Sequence, residues 1–246
     1  MSTDAALDVR LLRNATLLLT VDETTFLVDP MLSSPGENPP VPNSPNDRRN
    51  PLVPLPDVEL SYDAVLVTHR HQDHFDEAAE EELDADVPLF CQPEEEAAFV
   101  EEGFTDVRPV DETVSFRGIT VHRTPGRHGH GELAEEMAPV SGFVFEGTET
   151  LYLAGDTVWY DAVDRTLQKF APDAVVLNGG EAQFTEGRPI TMGVEDVTAV
   201  REATDADTAV AVVHMEAINH CLLSREELRS NTEDVRVPED GERLVF

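Results

Sequence analysis

Thr68-His69-Arg70-His71-Gln72-Asp73-His74-Phe75-Asp76 follows directly on the apolar run Ala64-Val65-Leu66-Val67 and decides how the rest of the chain is read. Three histidines and one aspartate fall within positions 69–74. Side chains at i and i+2 on a strand point to the same face, so His69 and His71 can grip one ion as the strand ends. Asp73 and His74 come after the chain has turned and can face a second ion from the side. Imidazole with carboxylate suits zinc, manganese or iron, and hydrolytic two-metal sites hold their ions about 3.5–4 Å apart. The competing reading is a surface loop that is merely histidine-rich, and the spacing argues against it.

His-x-His-x-Asp-His after a short strand resembles the signature of the metallo-β-lactamase fold superfamily. Phe75-Asp76, which follows it, resembles the ascorbate-6-phosphate-lactonase-like branch and related metal-dependent hydrolases. The resemblance implies an α/β architecture, a four-layer αββα sandwich whose strand ends carry the metals on one rim. It also implies a single domain over 1–246, with one lobe to about residue 135 and a second from about 136.

Fifty acidic residues stand against seventeen basic ones, a formal charge of −33, and Lys169 is the only lysine. Self-repulsion on this scale destabilises a compact chain in dilute buffer, whereas molar salt shortens the screening length to roughly 3 Å. The acids are spread along the chain instead of forming a tail, and the composition resembles that of extreme halophiles with a salty cytoplasm. Cys91 and Cys221, 130 positions apart, do not make a secreted disulfide framework. The opening Met-Ser-Thr-Asp-Ala-Ala-Leu-Asp has acids where a signal peptide is basic, and no apolar run reaches the roughly 18 residues of a membrane span. A cytoplasmic protein is expected.

Taken in order, β-branched and apolar runs predict strands over 8–15, 16–21 and 25–28, the last stopped by Asp29-Pro30. Asp29 reads as a structural carboxylate at a strand end. Residues 33–57 contain eight prolines and the pair Arg48-Arg49, and are read as a flap over the pocket. Arg48 and Arg49 either meet an anionic substrate or pair with surface acids. Helices are expected over 76–83 with Asp76 as N-cap, 94–102, 161–170, 194–203 and 222–231 with Ser224 as N-cap. Further strands are expected over 88–91, 107–110, 112–116, 119–123, 141–145, 150–153, 174–177, 208–213, 235–237 and 243–246.

Thr124-Pro125-Gly126-Arg127-His128-Gly129-His130 is a rigid turn that presents two histidines. By resemblance to the family's Thr-Pro followed by a histidine, His128 is the third histidine of the first metal site and His130 its neighbour. His122, inside the preceding strand, is given no role. Ala154-Gly155-Asp156-Thr157 resembles the motif whose aspartate bridges the ions. His214 directly follows a predicted strand and best completes the second site, with His220 the runner-up or a substrate contact. Cys221 reads as a reduced, half-buried thiol, and Trp159 as either core or pocket wall.

The metal set is therefore His69, His71, Asp73, His74, His128, Asp156 and His214, holding two divalent ions, zinc before manganese or iron. The expected enzyme is a metal-dependent hydrolase in which a bridging hydroxide attacks a small, anionic ester, lactone, amide or phosphoester, with Asp73 holding the nucleophile or taking its proton. A nuclease or phosphodiesterase shares the motif, but only Arg48-Arg49 could neutralise phosphates. A non-catalytic metal carrier fits poorly with seven ligands present, and His71 argues against a di-iron oxidoreductase. The charge pattern sets the first prediction: the melting temperature should rise steadily from 0.1 M to 2 M KCl, and a maximum in dilute buffer would refute the halophilic reading.

Overall fold

Strands β1 (Leu7–Arg13), β2 (Thr16–Val21), β3 (Thr24–Val28) and β4 (Ala64–Leu66) are buried at nearly every position and rich in leucine and valine, because both of their faces are covered. Their side chains sort with period two. Val9, Leu19, Phe26 and Leu66 enter one core, whereas Leu18, Leu27 and Val65 enter another on the opposite face. With β5 (Leu89–Cys91), β6 (Val107–Pro109) and the C-terminal β13 (Arg243–Val245) they form a seven-stranded sheet in the order β13-β1-β2-β3-β4-β5-β6. It is antiparallel from β13 to β3 and parallel from β3 to β6.

The second sheet holds β7 (Thr113–Phe116), β8 (Ile119–Pro125), β9 (Ser141–Glu146), β10 (Thr150–Leu153), β11 (Ala174–Asn178) and β12 (Ala209–Val213), in the order β12-β11-β10-β9-β8-β7. It repeats the plan of the first, an antiparallel meander continued by parallel strands. The sheets meet over a shared core where Phe26 packs edge-on against Phe145 and Phe116, at centroid distances of 5.1 and 5.9 Å. Helices α1 (Glu77–Glu82) and α2 (Glu96–Glu101) cover the first sheet, through Ala79 and Phe99. The short α3 (Glu132–Glu136) lies between β8 and β9 in the chain. Helices α4 (Asp161–Phe170), α5 (Val194–Ala203) and α6 (Arg225–Asn231) cover the second sheet through Val163, Val197 and Leu228. The layers are α, β, β, α.

This computed structural model describes residues 6–246; the acidic opening at 1–5, read above as lacking a leader, lies outside the described residues. No helix among the described residues is long and apolar enough to cross a membrane. Several details differ from the sequence reading. The first strand stops at Arg13, because Asn14 turns with φ +56° and starts a tight hairpin into β2. Residues 235–237 form no strand: Arg236 alone bridges to Ala211, and Pro238 offers no further donor. The helix read over 222–231 begins at Arg225, after Ser224 accepts from Glu227 N, and α3 carried no expectation. The sheets also divide the chain elsewhere than at 135/136, since β7 and β8 already belong to the second sheet and β13 returns to the first.

The Pro-rich segment 33–57 is tied down by polar groups buried beneath it. Asp76 caps α1 by accepting from Ala79 N at 3.0 Å, and also accepts from Leu32 N and Ser33 N at 3.0 and 2.9 Å. Arg13, fully buried, donates to the carbonyls of Met31, Ser33 and Val53. Asn219 and Asn50 exchange hydrogen bonds, Asn50 Nδ2 to Asn219 Oδ1 and Asn219 N to Asn50 Oδ1, each 2.9 Å. Asp76→Ala removes the cap and strands two buried N–H groups, and should cost about 2–4 kcal/mol. Asp76→Ser, which keeps only the cap, should recover part of it in denaturant titrations; equal stability of Asp76→Ala and wild type would contradict this anchoring.

Candidate metal centre

Each strand that contributes to the site does so just past its C-terminal end: β4 before His69, β8 before His128, β10 before Asp156 and β12 before His214. Local backbone makes the deliveries possible. Gly155 turns with φ +66°, and a Cβ there would lie 2.6 Å from the Ser141 carbonyl oxygen, so only glycine presents Asp156 this way. His214 itself adopts φ +64°, a conformation uncommon outside glycine, and is held by its N–H donating to Asn14 O at 2.9 Å. Gly180 lets the His214 carbonyl pack where a Cβ would come within 2.0 Å.

Two clusters result. One nitrogen from each of His69, His71 and His128 gathers within 4.8 Å of the others, and so do the donor atoms of Asp73, His74, Asp156 and His214. His69 Nε2 and His71 Nδ1 are 2.9 Å apart. Asp156 stands between the clusters: its Oδ2 is 3.3 Å from His74 Nε2, 3.5 Å from His128 Nε2 and 4.0 Å from His69 Nε2, and its Oδ1 is 3.7 Å from His214 Nε2. Asp73 Oδ2 accepts from His214 Nε2 at 3.1 Å. All seven residues singled out in the sequence are thus brought together.

The rings are aimed by partners on their far nitrogens, the arrangement that orients metal-binding histidines. His74 Nδ1 bonds Asp29 Oδ2 at 2.8 Å, His128 Nδ1 the Ile190 carbonyl at 2.9 Å, His69 Nδ1 the Thr68 hydroxyl at 3.1 Å, and His214 Nδ1 lies 3.4 Å from Cys221 Sγ. Asp29 also accepts from Thr68 N and Oγ1, which makes it the structural carboxylate expected from its place at the end of β3. Cys221 is buried and reduced.

Three asparagines escaped the sequence reading: Asn219, which ties down the flap, and two in this layer. Asn178 Nδ2 donates to Asp156 Oδ1 at 2.8 Å, and Asn14 Nδ2 to the Asp73 carbonyl at 3.0 Å. Asn178 carried a usable signal, a polar residue closing the otherwise apolar β11; Asn14 and Asn219 carried none.

The remaining candidates are placed elsewhere. His130 belongs to neither cluster and lies in a separate surface depression with Arg188 and Glu181. His122 pairs with Glu146. Trp159 packs against the helix-covered face of the second sheet and does not line the cavity over the clusters. Arg49 bonds the carbonyls of Gly36 and Glu37, within the flap's own backbone, and neither Arg48 nor Arg49 lines the cavity. His220 lines the cavity but joins neither cluster.

Burial opposes charge on Asp156, yet His214, His74 and His128 hold its carboxyl well below the usual carboxylate range. Burial likewise opposes charge on His74, and Asp156, Asp29 and Asp73 outweigh it, raising His74 well above an ordinary histidine. His69 goes the other way, pushed down by burial and by its histidine neighbours. His74 Nε2 is buried with no hydrogen-bond partner, although Asp156 Oδ2 and Asp73 Oδ2 flank it at 3.3 and 3.7 Å. Imidazole and carboxylate donors converging on an orphaned nitrogen fit divalent metal.

An αββα sandwich with these donors at the ends of its strands defines a metal-dependent hydrolase of the metallo-β-lactamase fold, and the β-lactamase superfamily domain model matches residues 24–215. Within that superfamily the chain belongs to the UPF0173 family. It is 38% identical to the UPF0173 protein YddR of Bacillus subtilis over 98% of this chain and 100% of that one. Among solved structures it is similar to an isothiocyanate hydrolase from Delia radicum gut bacteria, with 36% identity and TM-score 0.91 over 97% of this chain and 99% of that one. A possible metal-dependent hydrolase from Veillonella parvula superposes with TM-score 0.92 at 33% identity, over 99% of this chain and 100% of that one.

Asp29→Ala should leave the fold intact but weaken metal binding about 10- to 100-fold, the usual effect of removing a histidine-orienting partner. Chelator competition followed by elemental analysis measures it, and undiminished affinity would remove Asp29 from the site.

Proposed function

We propose that the chain is a binuclear hydrolase acting on a small, neutral, largely apolar electrophile, with an isothiocyanate as the specific candidate. The observation that carries this is the cavity above the clusters. It measures about 300 Å³, the low end of the roughly 300–1,000 Å³ typical of small-molecule sites. Met31, Val41, Met137, Phe184, Ile190 and Ile218 supply its apolar wall, and no lysine or arginine lines it. An anionic substrate, expected from the sequence, would find no cationic side chain here, and neither would a nucleic-acid phosphate. The similarity to the isothiocyanate hydrolase, over nearly the full length of both chains, supports the same class.

In this reading His69, His71 and His128 would hold one ion and Asp73, His74 and His214 the other, with Asp156 placed between the two clusters, and zinc would suit the donor set best. Bound ions supply a water acidified toward neutral pH and an electrophile for developing negative charge. The chain's own residues do the rest. Asp73, 12% exposed at its side chain against 3% for Asp156, is the more open of the two carboxylates that border the cavity, and is placed to take a proton from the attacking water. The apolar wall seats the organic group and limits bulk water. Overall, R–N=C=S and one water give R–NH2 and carbonyl sulfide: a C–O bond forms, the C–N bond breaks, and both water protons end on nitrogen.

Elemental analysis should give near two ions per chain. In molar salt the protein should release amine and carbonyl sulfide from benzyl isothiocyanate, in preference to turnover of lactones or bis(p-nitrophenyl) phosphate. His71→Ala should abolish this while preserving the circular dichroism spectrum. An undiminished rate in that variant would discard the site, and preference for a phosphodiester would discard the substrate class.

A further inference from the structure

His220 stands out among the histidines around the cavity. It is only 5% exposed, it borders the cavity beside His71 and Asp73, and its donors belong to neither metal cluster. The far nitrogens of His69, His74, His128 and His214 each have a partner in the protein, whereas His220 Nδ1 is buried with none. A buried imidazole whose second nitrogen is unengaged has no fixed tautomer, so its cavity edge can donate or accept as a bound molecule requires; either protonation state offers at least one donor.

The ring is nonetheless held in place. Phe184 stacks on it at 12° between planes and a centroid distance of 6.3 Å. Its carbonyl accepts from Gln183 N at 3.0 Å. The residues on either side are also fixed, Asn219 by its exchange with Asn50 and Cys221 by His214. A polar side chain that the protein holds rigidly, leaves without a partner and sets in the wall of a mostly apolar cavity is suited to a hydrogen bond that forms only when substrate is present.

We infer that His220 is a substrate-binding residue, which hydrogen-bonds the nitrogen of the substrate and is not a metal ligand. This rests on the isothiocyanate reading for the identity of that nitrogen. Held there, the ring aligns the C–N bond over the clusters and stabilises the nitrogen as it gains electron density. Asn219 and Asn50 act through it as positioning residues.

The test uses the metal-loaded protein and two readouts. Calorimetry measures binding of N-benzylacetamide, an uncleaved neutral amide, to wild type, His220→Ala, His220→Asn and His220→Gln; steady-state kinetics measures benzyl isothiocyanate turnover. With metal content and melting temperature unchanged, His220→Ala should lose about 10- to 100-fold in amide affinity and in kcat/KM, the worth of one buried hydrogen bond. Asn or Gln, which place an N–H near Nδ1 or Nε2, should restore part of it. Loss of one ion in His220→Ala would make His220 a ligand and overturn the inference, and so would equal amide affinity in wild type and His220→Ala. A wild type inert toward isothiocyanates that still shows the affinity difference would refute the substrate reading and leave His220 standing. An active wild type without that difference would do the reverse.

Discussion

Three carboxylates lie within the site, Asp29, Asp73 and Asp156, and their only ion-pair partners among the described residues are histidines. Buried charge of one sign is tolerated only when something of the other sign repays its desolvation. An imidazole can do this by taking a proton, but a ring of five such groups at contact distance cannot all be charged together, as the opposite shifts of His69 and His74 show. The arrangement is poor as a folding device and coherent as a receptor for divalent cations. The rest of the architecture can be understood as what holds this unfavourable cluster still.

Holding it still falls to the ends of the strands. Parallel strands deliver their C-terminal ends to one rim, so residues as distant as His69 and His214 need only short excursions to meet. The excursions use backbone that most residues avoid, at Gly155 and at His214 itself. Behind them, Asp29, Thr68, Asn14 and Asn178 satisfy the polar atoms that face away from the centre. The flap is fixed by the same economy of buried polar contacts, Arg13 and Asp76 at its base and Asn50 with Asn219 at its far side. Its proline-rich sequence lowers the conformational freedom that those few contacts must restrain.

The contrast between surface and cavity is equally informative. The chain carries −33 overall, yet the wall above the clusters is mostly apolar and without lysine or arginine. That separation is why we propose a neutral substrate in place of the small anionic one that the family resemblance implies.

The histidine–aspartate cluster was legible in the sequence because strand periodicity and short spacing put His69, His71, Asp73 and His74 within reach of one another whatever the remainder did. The apolar strands, the caps at Asp76 and Ser224, and the placing of His128, Asp156 and His214 after strands were legible for the same local reason, helped by motif resemblance. The turn at Asn14, the boundary between the sheets, and the partners of Asn14 and Asn178 behind the site were not, since each depends on a backbone angle with no composition signal or on which strand ends the fold brings together. Local sequence determined which side chains could bind metal. Only tertiary packing decided which nitrogen of each ring faces the centre, that Arg49 serves the flap instead of the substrate, and that His220 borders the cavity outside both clusters, because those outcomes follow from which distant backbone groups remain to be satisfied once the two sheets close.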